Sequence, residues 1–443
     1  MQNKDLLIKK SLRYSIFDGA FYSVMVGFGE SFFTPFAVFL QAGNLELGLL
    51  GSLPQAMGSL SQFYSNSLLK LFKSRKRLVS TLAFAGALMH IPIILVYFMG
   101  KMKIYMLILF ICIYWILNMI LGPAWNSWMG DLVPENSRGA YFGQRNRIAG
   151  FVSFVSFMLA GFILQQFAGN QNIRFAGFTI LFTVAMLSRA VCYIFLIKKY
   201  EPPRVIHDHH EFGFGSFLKQ AAHNNYGLFV FYLCFMNFSV FISAPFFAPY
   251  MLKDLSLSYQ AYTLVIASAI IIKVITLRVW GILADKHGTR QVIAVTGYVM
   301  PFVPLLWVFS WKLWYLIVIQ AFSGFVWGGF EIASFNYIFD ATSPEKRQTC
   351  VAYLNILIGV SMFAGAMAGA AAVHFNRFFW TSYFLVFILS FVLRLTASVF
   401  FIPRLKELRS VEHISYRGLL LKAISAMPSR GLIYGLSSFR RHR

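Results

Sequence analysis

Glu30, Lys273 and Glu331 are among the ionisable side chains that interrupt otherwise apolar stretches of this 443-residue chain. If those stretches are membrane-crossing helices, Glu30 lies roughly 16 Å deep, Lys273 about 15 Å and Glu331 about 12 Å, at ~1.5 Å of rise per residue. A charge at such depth costs roughly 2.5–3.5 kcal/mol on insertion scales, so each needs a function or a partner. Two readings stand side by side. In one, the three face a central aqueous cavity and carry substrate recognition or proton coupling, the latter through Glu30 or Glu331. In the other, a buried Glu–Lys pair fixes helix packing. Arg278 lies nearer a helix end and is expected to snorkel to the interface.

The elements that must position these groups follow from composition. Hydrophobic residues make up 58% of the chain and charged residues 12%, against roughly 45–50% and about 25% in soluble globular proteins. So few charges cannot cover a soluble surface of this size, which excludes a soluble enzyme, a secreted disulfide scaffold and a disordered chain. Twelve runs are long and apolar enough to cross a bilayer, which takes about 20 residues. They are 19–40, 47–71, 78–99, 104–129, 148–167, 175–197, 226–250, 259–283, 292–310, 313–339, 351–373 and 378–402. Unbroken runs without two-residue alternation predict helices, an all-α polytopic membrane protein rather than a β-barrel. The first run contains Asp18 nearby and Glu30 within it and leads straight into a second span, so an uncleaved helix is expected rather than a signal peptide.

An even span count puts both ends of the chain on one side. Of 39 Lys and Arg, six lie in loops on the opposite side (Lys101, Lys103, Arg174, Lys253, Lys312, Arg377) and four inside spans (Arg189, Lys273, Arg278, Arg394). The other 29 share the side of the termini, which predicts cytoplasmic termini in a cell (inner, cytoplasmic) membrane. Most of the +23 net charge is therefore topology, and no nucleic-acid partner is expected. Cys112, Cys192, Cys234 and Cys350 sit in or beside apolar runs without metal-type spacing and read as small buried hydrophobes.

The chain repeats internally. The fourth run ends Ser127-Trp-Met-Gly-Asp131-Leu-Val-Pro134-Glu135-Asn-Ser-Arg138, and the tenth ends Asn336-Tyr-Ile-Phe-Asp340-Ala-Thr-Ser-Pro344-Glu345-Lys-Arg347. Asp131 and Asp340 share an offset with Asn146/Asn355 and Gly150/Gly359; Arg189 and Arg394 recur in the sixth and twelfth runs. The expected architecture is two six-helix bundles, 1–197 and 226–402, joined by a polar loop, 198–225, and followed by a basic tail, 403–443. Symmetric placement predicts a structural pairing for Arg189 and Arg394. Gly365 and Gly369 form a small-residue stripe that permits a close helix crossing, through gating or ordinary tight packing. Pro35, Pro54, Pro92, Pro123, Pro245 and Pro301 are positions where spans are expected to weaken.

Between the eighth and ninth runs stands Gly281-Ile-Leu283-Ala-Asp285-Lys-His-Gly288-Thr-Arg290. With this loop, the two Asp-Pro-Glu-Arg clusters and the 6 + 6 pattern, the chain resembles the major facilitator superfamily of secondary transporters over all twelve runs. The loop has a direct physical reading as well: Gly281 allows close helix approach, Gly288 a tight reversal, and Asp285 the capping of a neighbouring helix and pairing with Arg290. The resemblance implies that Gly281, Asp285, Gly288 and Arg290, with Asp131, Arg138, Asp340 and Arg347, form a conformational latch whose target lies near Arg145 and Arg147. It also implies that spans one, four, seven and ten line a central cavity, which places Glu30, Asn118, Asn237 and Glu331 on its walls. The first-half loop, Ser67 to Arg77, lacks both glycine and aspartate, which points to an asymmetric latch, and the fifth span lacks the Gly-Pro signature of proton-driven drug antiporters.

The expected activity is secondary active transport of a small solute by alternating access, with H+ as a candidate coupling ion, in a monomer. Two alternatives remain open: carriage of an amphipathic lipid or metabolite, suggested by 18% aromatic residues, and a transporter-like sensor that binds without translocating. No Walker loop, catalytic triad or metalloprotease motif is present, so neither an enzyme nor a cofactor is expected. His207, His209 and His210 lack metal-site spacing. The tail after Pro403 combines nine Lys and Arg with Leu405, Leu408, Leu419 and Ile424, either an amphipathic helix on anionic lipid or a solvated basic tail.

Overall fold

A computed structural model describes residues 2–134, 138–203, 214–221, 224–342, 344–376, 381–408, 411 and 414–425. Among the described residues the chain is helical throughout, with no strand. In chain order the α-helices are α1 (Gln2–Phe28), α2 (Phe33–Phe39), α3 (Asn44–Ser61), α4 (Ser65–Phe72), α5 (Arg75–Leu88), α6 (His90–Leu95), α7 (Lys103–Leu132), α8 (Arg138–Gln166) and α9 (Gln171–Lys198). They continue with α10 (Phe214–Ala221), α11 (Asn225–Phe241), α12 (Phe247–Pro249), α13 (Tyr259–His287), α14 (Thr289–Val299), α15 (Phe302–Leu306), α16 (Leu313–Ala341), α17 (Pro344–Phe375), α18 (Tyr383–Phe401) and α19 (Tyr416–Ser425). Nine helical stretches among the described residues are long and apolar enough to cross a membrane. The other three expected spans are also helical but interrupted: the first at Gly29–Phe32, the second at Gln62–Tyr64 and the ninth near Met300.

Span seven, although counted among the nine, is broken in the same way as span one, at a proline 210 residues further on. Pro35 and Pro245 each lack an N–H and cannot bond to the carbonyl four residues back. Span one thus passes from α1 through a 3₁₀ turn, Glu30–Phe32, into α2. Span seven passes from α11 through a 3₁₀ turn, Ala244–Phe246, into α12 and then a π-helical turn, Tyr250–Asp254. The sequence reading recognised these prolines as weak points; the structure shows that they produce matching breaks.

By packing, the chain divides into two compact units. The first comprises Met1–Asp208, Phe241–Ala267 and Asn355–Val386; the second comprises His209–Val240, Ser268–Leu354 and Phe387–Arg443. Inside the first unit, residues from both sequence halves meet through small side chains. A Cβ on Gly48 would lie 3.0 Å from Ala370 Cβ, one on Gly51 2.9 Å from Pro245 Cβ, and one on Gly369 2.2 Å from the Ile242 carbonyl oxygen. The close crossing expected of Gly369 is therefore present. Polar ties reinforce the contact: Lys253 Nζ donates to the Ala42 carbonyl (2.5 Å) and the Tyr383 hydroxyl to Asn44 Oδ1 (3.0 Å).

In the second unit, α13 and α16 approach so closely at Gly324 that a Cβ there would lie 2.1 Å from the Ala269 carbonyl. Gly281, by contrast, has open space around it. Gly324→Val is therefore expected to destabilise the protein by about 1–3 kcal/mol through overpacking, while Gly281→Ala stays within about 0.5 kcal/mol. Thermal unfolding of the two purified variants checks this; equal stability would refute the close α13–α16 contact.

Candidate substrate and proton site

The break in span one creates the site. Gly29 is closely surrounded: a Cβ would lie 2.8 Å from the Met25 carbonyl oxygen and 3.0 Å from both Ala185 Cβ and His90 Nε2. The tight fit lets the chain turn out of α1 and present the half-buried Glu30 to α7. There the fully buried Tyr114 donates its hydroxyl to Glu30 Oε1 at 2.6 Å. Four positions further along the same face, Asn118 donates Nδ2 to the Tyr114 carbonyl (2.9 Å) and accepts from Arg189 Nη2 at Oδ1 (2.8 Å). Arg189, 4% exposed, stacks over the Tyr22 ring at 4.8 Å and lies within electrostatic range of Glu30. His90, fully buried, donates Nδ1 to the Ala87 carbonyl (3.1 Å) and packs edge-on against Tyr114.

The first unit thus links Glu30 and Asn118 through Tyr114, with Tyr22, His90 and Arg189 beside them. The sequence predicts a structural pairing for Arg189 rather than a substrate contact; in the structure it bonds Asn118 and stacks on Tyr22 of span one. Its mate Arg394 donates to the Val240 carbonyl (3.4 Å) at the end of α11, so each arginine serves the broken helix of its own half. The repeat was legible; the destination was not, because no local pattern says which helix an arginine faces.

In the second unit Lys273 on α13 meets both oxygens of Glu331 on α16 at 3.2 Å. Their side chains are 35% and 48% exposed, and the pair ties α13 to α16. Asn237 donates to the Leu233 carbonyl of its own helix (2.8 Å), and none of its described bonds reaches Lys273 or Glu331.

The latch residues fall into place unevenly. Gly288 has φ +95°, a conformation that favours glycine. Glu407, beyond α18, accepts from the Arg290 backbone N–H (2.9 Å), and the Arg290 guanidinium donates to the Leu405 carbonyl (2.6 Å). Asp285 is exposed and Asp340 half-buried. Asp131 pairs with the buried Arg75 at 2.5 Å. The side chains of Arg138 and Arg347 lie outside the described residues, as does the His207–His210 segment. Arg145, the expected latch target, pairs with buried Asp18 (3.3 Å), as does Lys199.

A brace that the sequence reading missed occurs once in each half. Glu201 accepts from the Ser74 hydroxyl (2.6 Å) and the Arg75 N–H (2.7 Å) at the start of α5, as Glu407 does at the start of α14. Trp128 donates to the Tyr200 carbonyl and Tyr337 to the Lys406 carbonyl, both at 2.9 Å. Trp128 and Tyr337 share the offset of Asp131 and Asp340, a signal that identity matching passes over because the residue types differ. The asymmetry expected from the first-half loop is therefore confined to its glycine and aspartate: a carboxylate caps the helix start in both halves.

A helical membrane protein with interrupted spans and a buried polar centre has the build of a membrane transporter. Residues 228–440 match the sequence model of the Major Facilitator Superfamily. The fold is similar to that of a D-xylose-proton symporter (TM-score 0.70, 12% identity, 91% of this chain and 99% of that one). It is also similar to the nucleoside transporter NupG in a variant form (0.67, 11%, 90% and 100%) and to a bacterial homologue of the human lysosomal transporter Spinster, inward-facing and unoccupied (0.61, 14%, 95% and 98%). No curated protein sequence matches the chain.

Asn118 is the tie that holds Arg189. Asn118→Leu leaves a buried guanidinium donor without its acceptor, a loss of about 1–3 kcal/mol. A clear fall in thermal midpoint is expected for Asn118→Leu, with partial recovery in Asn118→Asp; an unchanged midpoint in Asn118→Leu would show that Arg189 does not depend on it.

Proposed function

We propose that this protein is a proton-coupled secondary transporter of a small, uncharged polar solute, with Glu30 as the coupling carboxylate. The observation that carries the reading is the half-buried Glu30 carboxyl in the break of span one, held at one oxygen by Tyr114 and balanced by Arg189. A carboxyl with one oxygen engaged and the other free can take and release a proton without losing its position. Lys273 with Glu331 lines a water-accessible face that the solute passes. Because Glu30 is balanced by Arg189 and Lys273 by Glu331, neither centre offers an uncompensated charge to an ionic solute. The fold shared with a D-xylose-proton symporter and a nucleoside transporter supports the same class. The excess of Lys and Arg on the side of the termini supports cytoplasmic ends in a cell membrane. The latch formed by the Gly281–Arg290 loop and the clusters at Asp131 and Asp340 would alternate the exposure of the site.

The test begins with a thermal-stabilisation screen of sugars and nucleosides, since a true ligand raises stability by mass action. Uptake of the hit into proteoliposomes is then measured with and without a proton gradient. Wild-type protein should accumulate it in a protonophore-sensitive way. Glu30→Gln should lose gradient-driven accumulation yet keep solute exchange, because a permanently neutral side chain mimics one protonation state. Undiminished accumulation by Glu30→Gln would remove Glu30 from the coupling role. In the second unit, removing one member of an ion pair strands the other. Lys273→Met should therefore impair uptake more than the double variant Lys273→Met with Glu331→Leu; a double variant at least as impaired would favour direct solute contacts by both side chains.

A further inference from the structure

The last described helix, α19, does not extend away from the protein. Its Leu419 and Ala423, one turn apart, are fully buried, and it packs along α14 within the second unit. Two contacts fix its direction. Tyr416, at its start, lies 6.3 Å from the Tyr298 ring, and Lys422, near its end, donates to His287 Nε2 at 3.4 Å. His287 ends α13 at the turn into α14, so it marks the membrane boundary on the side where the chain ends. Tyr298 is nine residues into α14, about 13 Å further in. The helix therefore spans the depth of the headgroups and the first part of the acyl chains, the layer that amphipathic helices occupy.

Its outward side carries Arg417, Leu421 and Ile424, which share one helical stripe; Leu421 is 66% exposed and Ile424 51%. Two aliphatic side chains presented at that depth call for a hydrocarbon partner. The charge around them specifies which kind. After Glu412 the chain contains no Asp or Glu, while Arg417, Lys422, Arg430, Arg440, Arg441 and Arg443 are all cationic. Each basic residue at an anionic membrane surface contributes about fivefold in binding.

We propose that α19 is a lipid-docking element, its Arg417–Leu421–Ile424 stripe seated in an anionic bilayer surface and its opposite side resting on the Gly281–Arg290 loop. The contact with that loop is direct: Lys422 touches His287, and Glu407 and Val411, which lead into α19, enclose Gly288. Anionic lipid thereby stabilises the position of α14 and of the latch loop. This docking rests on the position of α19 alone and stands whether or not Glu30 couples protons.

The experiment uses the full-length protein in lipid nanodiscs, spin-labelled singly at Leu421→Cys or Ile424→Cys, with the signal of unsubstituted protein subtracted. Accessibility to oxygen and to a water-soluble nickel chelate is measured in discs with and without phosphatidylglycerol. Both labels should favour oxygen in anionic discs. The preference should reverse toward nickel in neutral discs, and in anionic discs on Arg417→Gln with Lys422→Gln. Nickel accessibility in every lipid would place the stripe in water. Inaccessibility to both reagents would place it under protein. A preference for oxygen independent of lipid charge would remove the anionic headgroup from the account. Any of these three results overturns the proposal.

Discussion

The structure depends on how one carboxylate is kept in the middle of a membrane helix. Glu30 is tolerable there because span one is not a continuous helix at that point. The break after Gly29 turns the side chain toward Tyr114, and Arg189 supplies the opposite charge from the sixth span, oriented by Asn118. Each member satisfies another: Tyr114 uses its hydroxyl on Glu30 and its carbonyl on Asn118, and Asn118 uses its amide on Tyr114 and its oxygen on Arg189. In a low-dielectric interior such a network is stable when complete and costly when any member is missing. The coupling role proposed for Glu30 rests on that dependence.

Duplication explains much of the rest. Pro35 and Pro245 break spans one and seven alike, Arg189 and Arg394 serve those spans, and Glu201 and Glu407 cap the starts of α5 and α14. The two halves then diverge in what they carry: the first keeps its carboxylate sequestered beneath Tyr114, and the second exposes a Lys–Glu pair.

The helical membrane class was legible from composition and run length, because the hydrophobic requirement of a bilayer leaves few alternatives. The repeat was legible where residue identity survived, at Asp131 and Asp340. The interrupted spans read as continuous because hydropathy averages over a break that a single proline or a glycine packing contact produces. Glu30 and Asn118 stood out by type within apolar runs, and the structure brings them together. Tyr22, His90 and Tyr114 did not, since aromatic residues at helical spacing usually signify packing. Arg75 was hidden in a basic loop, yet it is 1% exposed and salt-bridged to Asp131. A sequence counts charges on one side of a membrane without showing which of them folds inward.

The account rests most heavily on Glu30 occupying a site that opens to each side of the membrane in turn. A cysteine at position 30, in sealed vesicles of known orientation, can be probed with an impermeant thiol reagent added from one side at a time. Alternating access requires modification from both sides, each slowed when a bound solute or a cross-link holds the opposite face open. Modification from one side alone under every condition, or from neither, would mean that the centre around Tyr114 and Arg189 is a structural knot in a protein whose transport path lies elsewhere.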